Sequence, residues 1–296
     1  MLMKYQNVFA TLLIIIFISA CSDQQNIPVG PSTIEIHQPG WADKTSDNFH
    51  GDEIAASNFN MESCQQCHGA DYGGGLVESS CLTCHSQDNG PEACNTCHGV
   101  FAASADDLAN VAPPGGLAGE TAVTERAVGA HQQHLSYYPD LTTTCNECHK
   151  LPQSLNDAGH LDATTGAEVV FGGTLAVIVT EGGSRIPQVQ YNTSNATCAN
   201  TYCHGNWVLE KSNSNSAFVY LADKMEGNFS TASWVDASTA ECGSCHALPP
   251  TGHIASELTG CGNCHSGVVD DQGKIIDNGK HINGKVNVFG QEYDMF

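Results

Sequence analysis

The chain reads as mostly irregular loops and short helices with a few β-hairpin strands, organised around bound groups rather than around a large protein core. Three observations predict this. Fourteen of the 15 cysteines fall into seven pairs, each closed by a histidine directly after the second cysteine. Glycine is abundant, 30 in 296 residues, and neither a long amphipathic helix nor a phosphate-binding glycine loop is present. Once each pair is given something to hold, about forty residues remain for each, too few for an extended core.

Six pairs have a two-residue gap: Cys64/Cys67/His68, Cys81/Cys84/His85, Cys94/Cys97/His98, Cys145/Cys148/His149, Cys242/Cys245/His246 and Cys261/Cys264/His265. The seventh, in TCANTYCHGN, places four residues between Cys198 and Cys203 before His204. Two thiols and a following histidine are what covalent haem attachment needs. The thiols add across the two vinyl groups of one porphyrin, and the histidine turns back to the iron as proximal ligand. A four-residue gap can bulge outward and still present both sulfurs and the histidine. Structural zinc and disulfide frameworks also pair cysteines, but neither calls for a histidine after the second cysteine every time. The reading is seven covalent haem c groups that themselves form the apolar interior: a multihaem cytochrome c fold wrapped around a haem array.

In chain order, residues 1–20 carry Lys4, the apolar run VFATLLIIIFIS and small residues, the pattern of a secretory signal. The run closes as ISAC, which resembles a bacterial lipobox with Cys21 as the lipidated residue; Ser22 after it points to outer-membrane anchoring. Residues 21–93 form an N-terminal haem-binding segment with two C-x-x-C-H motifs. Residues 94–172 form a first repeat, from CNTCHG through APP, GAHQQH and CNECH to VVFG. A β-rich connector spans 173–197, and the alternating stretch from Ala167 to Asn192 reads as a hairpin. Residues 198–290 form a second repeat, from CANTYCHG through LPP, TGH and CGNCH to VNVFG, and 291–296 are a tail. In this alignment Cys198 stands opposite Cys94, and the motif at Cys242 is an extra insertion. SAFVYLA, from Ser216, reads as one more strand, and YGGG, from Tyr72, as a tight backbone approach beside a haem.

CANTYCHG, CGSCHALPPTGH, CGNCH and KHINGKVNVFG, with HQPGW, FHG and CQQCHGADYGGG upstream, resemble the multihaem c-type cytochromes of metal-reducing bacteria that carry C-x4-C-H…C-x-x-C-H repeats. The resemblance runs from Ile36 to Gly290. It implies extracytoplasmic electron transfer, with other cytochromes, redox proteins or an extracellular metal acceptor as partners, in a protein exported to the outer membrane, at the cell surface or its periplasmic face.

Fourteen histidines are present. Seven follow cysteine pairs, which leaves His37, His50, His131, His134, His160, His253 and His281 as candidate distal ligands, one for each iron. His160 corresponds to His281 between the repeats, and His131 or His134 to His253. Methionine ligation is the alternative, but past the leader only Met61, Met225 and Met295 remain, none near a repeat feature. An iron closed by two imidazoles has no position for substrate, so the count reads as an electron carrier without catalytic residues. Two rival readings stand beside it: a multihaem reductase of nitrite or hydroxylamine, and a subunit of a polymeric cytochrome filament. The reductase needs an open haem with cationic groups, whereas no C-x-x-C-K motif occurs and Arg126 and Arg185 are the only arginines. The balance of 10 basic against 32 acidic residues, a net charge of −22, argues against nucleic acid or an anionic lipid surface as partner. Membrane attachment therefore falls to the lipid on Cys21.

Overall fold

The computed structural model describes residues 36–104, 107–111, 113–137, 141–162, 166–178 and 188–294. The leader, Cys21 and Arg185 lie outside the described residues. Two compact units divide the chain, Met1–Asn60 and Met61–Phe296.

In the first unit, helix α1 (His50–Ala56) carries Asp52 and Glu53 in its first turn, where acidic side chains complement the exposed N–H groups. Trp41 organises the segment before it. Its carbonyl accepts from the His50 backbone N–H at 2.8 Å and from the His50 ring Nδ1 at 2.8 Å. Its indole stacks on His37, with centroids 4.3 Å apart.

The second unit is built from short pieces. Helix α2 (Glu62–His68) holds the first motif, and 3-10 turns at Cys81–Thr83 and Cys94–Thr96 begin the next two. Helices α3 (His131–Tyr137) and α4 (Leu141–Asn146) follow. Strands β1 (Gln190–Asn192), β2 (Thr197–Ala199) and β5 (Ala232–Ser233) form an antiparallel sheet in the order β1-β2-β5. Strand β3 (Val208–Glu210) pairs with β4 (Lys224–Glu226). Helices α5 (Cys261–Cys264) and α6 (Asn278–His281) precede a closing hairpin of β6 (Lys285–Val288) and β7 (Gln291–Asp294). Phe289 and Gly290 turn that hairpin with φ +51° and +71°, the positive pair a two-residue type I′ loop demands. The V-x-V-F-G ending of the second repeat is thus a turn signal. Among the described residues no helix is long and apolar enough to cross a membrane.

Polypeptide packing alone buries few apolar side chains, among them Met61, Tyr72, Val128, Val208 and Met225, while Leu76, Phe218 and Leu221 are exposed. This irregular architecture agrees with the expected fold class. Two local expectations fail. SAFVYLA contains a 3-10 turn at Ala217–Val219 rather than a strand; Leu221 N–H instead reaches the Gly252 carbonyl at 2.8 Å, and Tyr220 forms an isolated bridge with His253. The hairpin expected from Ala167 to Asn192 also does not form in its described part. The N–H groups of Thr174, Leu175 and Ala176 converge on the Glu147 carboxylate at 2.7 to 3.1 Å, so they are not available to a ladder. Residues 190–192 pair forward with 197–199 instead.

Candidate metal centres

A C-x-x-C-H motif occupies little more than one turn. The histidine N–H bonds back to the first cysteine carbonyl at 2.9 Å for His85, 2.8 Å for His149 and 2.9 Å for His265. That bond presents two thiols three residues apart along one turn, with the imidazole just beyond them. The longer motif solves the same problem differently. Cys198 lies on β2, Asn200 takes a left-handed φ of +62°, and Cys203 and His204 lie on a 3-10 turn capped by Thr201. The two extra residues are absorbed by that kink, which asparagine tolerates better than most residues. The next residue, Gly205, sits at φ +90°, and a Cβ there would come within 1.9 Å of the Cys245 carbonyl oxygen. At the first motif Gly75 plays a similar part: a Cβ would fall 2.3 Å from Gly69 N and 2.5 Å from Cys67 O. This is the close approach expected of YGGG.

The cysteines do not all lie inside. Cys84, Cys94, Cys97 and Cys242 are exposed, whereas the other ten of the described cysteines are half-buried. Cys84 directly follows the 3-10 turn Cys81–Thr83, and its N–H donates to the Cys81 carbonyl at 3.2 Å. Cys84 thus keeps the backbone geometry of the motif, but a lone turn between loops has little polypeptide to cover its outer side. Cys148 and Cys203, in contrast, lie near each other and near Glu147.

The histidines assemble in twos. Ring centroids are 6.5 Å apart for His98 and His160, 6.4 Å for His131 and His149, 6.2 Å for His134 and His204, 6.3 Å for His246 and His281, and 6.4 Å for His253 and His265. Each pair joins one histidine that follows a cysteine pair to one that does not. A metal–imidazole bond is about 2 Å, with the ring centre about 1 Å behind the nitrogen, so two axial imidazoles on one metal place their centroids about 6 Å apart. All five separations fit. Among the described residues no three His, Cys, Asp or Glu side chains converge as a tetrahedral zinc site would require, and none of the fourteen cysteines there is joined in a disulfide.

The second ring nitrogen is committed elsewhere in most of these histidines. Nδ1 lies against a backbone carbonyl in His98 (Val111, 3.1 Å), His131 (Val128, 2.7 Å), His134 (Ala130, 2.9 Å), His149 (Glu168, 2.7 Å), His160 (Leu155, 2.9 Å), His246 (Ala247, 2.8 Å), His253 (Ile254, 2.8 Å) and His265 (Asn287, 2.7 Å). His68 does the same with Ser79 at 2.7 Å. An Nδ1–H donated to a carbonyl fixes the tautomer and leaves Nε2 with its lone pair directed outward, the arrangement metal-bound histidines adopt. His281 differs, since its Nδ1 is buried without a hydrogen-bond partner.

Burial favours the neutral form of five of these rings. Desolvation, and then the neighbouring imidazoles, pushes His131 down to about 4; desolvation and His134 do the same to His204. His98, His134 and His281 are lowered by desolvation as well. A ligand must be unprotonated, so the environment favours the metal-binding form. Burial also raises the thiols, Cys148 and Cys203 to about 12 and Cys198 to about 11.

Two candidate distal positions, His37 and His50, lie in the first unit around Trp41, and His68 and His85 in the second. Met61 and Met225 are buried, and none of the five pairs includes either. Sequence reasoning missed Glu147, whose carboxylate organises residues 174–176, and Trp234, which packs on two of the paired histidines. The available signal for the latter was scarcity: the chain has only 3 tryptophans.

No curated protein and no solved structure matches the chain. Residues 197–246, from the first residue of β2 to the histidine of the following C-x-x-C-H, match the family model for the Geobacter CxxxxCH...CXXCH motif. Over that segment the chain is similar to the multihaem cytochromes that this repeat defines.

Proposed function

We propose that the chain is a heptahaem c-type cytochrome carrying electrons between a membrane-side donor and an extracytoplasmic acceptor, either ferric iron and its minerals or another cytochrome. The observation that carries this reading is the set of five histidine pairs, each with one motif histidine and one distal histidine at axial spacing. A haem iron closed by two imidazoles supplies reversible one-electron exchange and offers no open position to a substrate.

On this reading the distal ligands are His160 for the group at Cys94/Cys97, His131 for that at Cys145/Cys148, His134 for that at Cys198/Cys203, His281 for that at Cys242/Cys245 and His253 for that at Cys261/Cys264, which the ring separations support. His68 and His85 are the motif histidines of the groups at Cys64/Cys67 and Cys81/Cys84. This assignment favours a different repeat register from the one the sequence suggests. In each copy an outer pair (His98 with His160, His246 with His281) encloses an inner pair (His131 with His149, His253 with His265). Cys94 then corresponds to Cys242, and the C-x4-C-H site stands between the copies.

Backbone carbonyls hold eight of the ten paired imidazoles in one tautomer, and burial favours the neutral form of His98, His131, His134, His204 and His281. Its net charge of −22 favours cationic or metal-bearing partners and makes docking sensitive to salt. A lipid on Cys21 would hold the protein at the outer membrane independently of that charge.

Stopped-flow oxidation of the reduced protein tests the reading. Full reoxidation by chelated ferric iron, without turnover of nitrite or hydroxylamine, is the expected result. Sustained, cyanide-sensitive turnover of either nitrogen compound would overturn it.

A further inference from the structure

Helix α3 carries two ligand candidates three residues apart. His131 faces His149 of the first repeat, and His134 faces His204 of the C-x4-C-H site. The two pairs differ in orientation. The His131 and His149 planes lie 28° apart, close to parallel, while those of His134 and His204 lie 85° apart. One side chain touches both rings of the helix. The indole of Trp234 stacks on His134 at 5.7 Å and 21°, and meets His131 edge-on at 4.6 Å and 89°.

Trp234 is itself held in place. Its indole N–H donates to the Arg126 carbonyl at 2.8 Å, and its backbone N–H to the Ala196 carbonyl at 2.8 Å. The Arg126 guanidinium in turn donates to the carbonyls of Thr193 and Ser194, in the turn between β1 and β2. Gly129, at φ +46°, makes room for the ring; a Cβ there would lie 2.0 Å from the indole nitrogen. The seat is thus built from residues before α3 and from the β1–β2 turn, and Trp234 itself directly follows β5.

We propose that Trp234 is a positioning residue that sets the rotation of the two α3 imidazoles, and so gives two neighbouring haem centres different axial-plane geometries. The proposal rests on the bis-histidine reading above. Nδ1 bonds to Val128 and Ala130 fix where each ring is tethered, but a ring can still turn about its Cβ–Cγ bond. A large flat neighbour parallel to one ring and perpendicular to the other restricts both. Ligand-plane angle controls the splitting of the iron d orbitals: near-parallel planes give a rhombic low-spin ferric signal, and near-perpendicular planes give one with a large principal g value.

The test is electron paramagnetic resonance of the oxidised protein, with haem content measured by mass. Trp234→Leu removes the ring, and Gly129→Ala displaces it while leaving it present. Both variants are expected to keep all attached haems and to shift one rhombic and one large-g component, leaving the rest unchanged. Unchanged spectra in both, or a shift spread over all components in both, would overturn the proposal. Parallel His131→Ala and His134→Ala variants keep the two readings separable. If neither opens a haem to carbon monoxide, the ligand assignment has failed, whatever Trp234 does.

Discussion

Removing the His134 imidazole is the sharpest probe of the assignment, because it joins a first-repeat histidine to the unusual attachment site. In His134→Ala the hydrogen bond from Nδ1 to Ala130 is lost, but that carbonyl keeps the His134 backbone N–H at 3.0 Å, so no buried acceptor is stranded. The direct cost is about 1 kcal/mol for the bond and about 1 kcal/mol for the stack on Trp234. A total of about 2 kcal/mol is a typical single-substitution loss, and a chain stapled by thioether links should still fold. The functional effect is discrete. If His134 closes the iron held by His204, that iron would lose its sixth ligand, so the reduced variant should bind one carbon monoxide per chain where the parent binds none. Combining His134→Ala with Cys198→Ser and Cys203→Ser, which delete that haem, should abolish the binding. His131→Ala combined with the same two serines should retain it. Absence of binding in the single variant, or its persistence after the Cys198 site is removed, would refute the reasoning.

His281→Ala should likewise bind one carbon monoxide, and because His281 faces His246 at 6.3 Å the opened haem should be the one at Cys242/Cys245; deleting Cys261 and Cys264 instead should leave the binding intact. Gly205→Ala should lower stability by about 2–5 kcal/mol, from the left-handed backbone and from a Cβ driven against Cys245, read as a fall in Tm with all haems still attached. Acid should weaken the structure within a definite window. His131 and His204 sit near 4 when folded against an ordinary 6.5, so between these values the unfolded chain takes up protons that the folded chain refuses. Stability therefore falls as pH drops below about 6.5; denaturation midpoints that stay flat from pH 7 to 4 would contradict this.

The attachment motifs can be proposed from sequence because their chemistry is contiguous. Two thiols and a proximal histidine must meet one porphyrin edge, and the structure shows that a single turn of backbone presents Cys145, Cys148 and His149 together. Even the long motif carried its own solution, since Asn200 is a residue that accepts the left-handed kink. The fold class followed from the same counting: so many sites in so short a chain leave room for turns and little else. How deeply each thiol sits was not legible, because Cys84 and Cys148 occupy the same place in identical motifs and differ only in what the rest of the chain packs over them. Elements resting on weaker local patterns fared worse. Alternation in residues 167–178 suggested a strand, but the Glu147 carboxylate, supplied from another motif, captured the N–H groups a ladder would need.

Partner choice among the histidines was not in the sequence at all. His131 and His134 are separated by one helical turn and look interchangeable in GAHQQH, yet they face different motifs, His149 nearby and His204 far along the chain. Nothing local distinguishes them, because which motif a ring meets depends on how α3 is rotated against β5 and the β1–β2 turn. Tertiary structure decides that rotation through Trp234, the gap left by Gly129 and the Arg126 contacts to residues 193 and 194. Covalent attachment is a short-range demand that a sequence can spell out in five to seven residues; axial pairing is a long-range one, met only when separate segments are packed together.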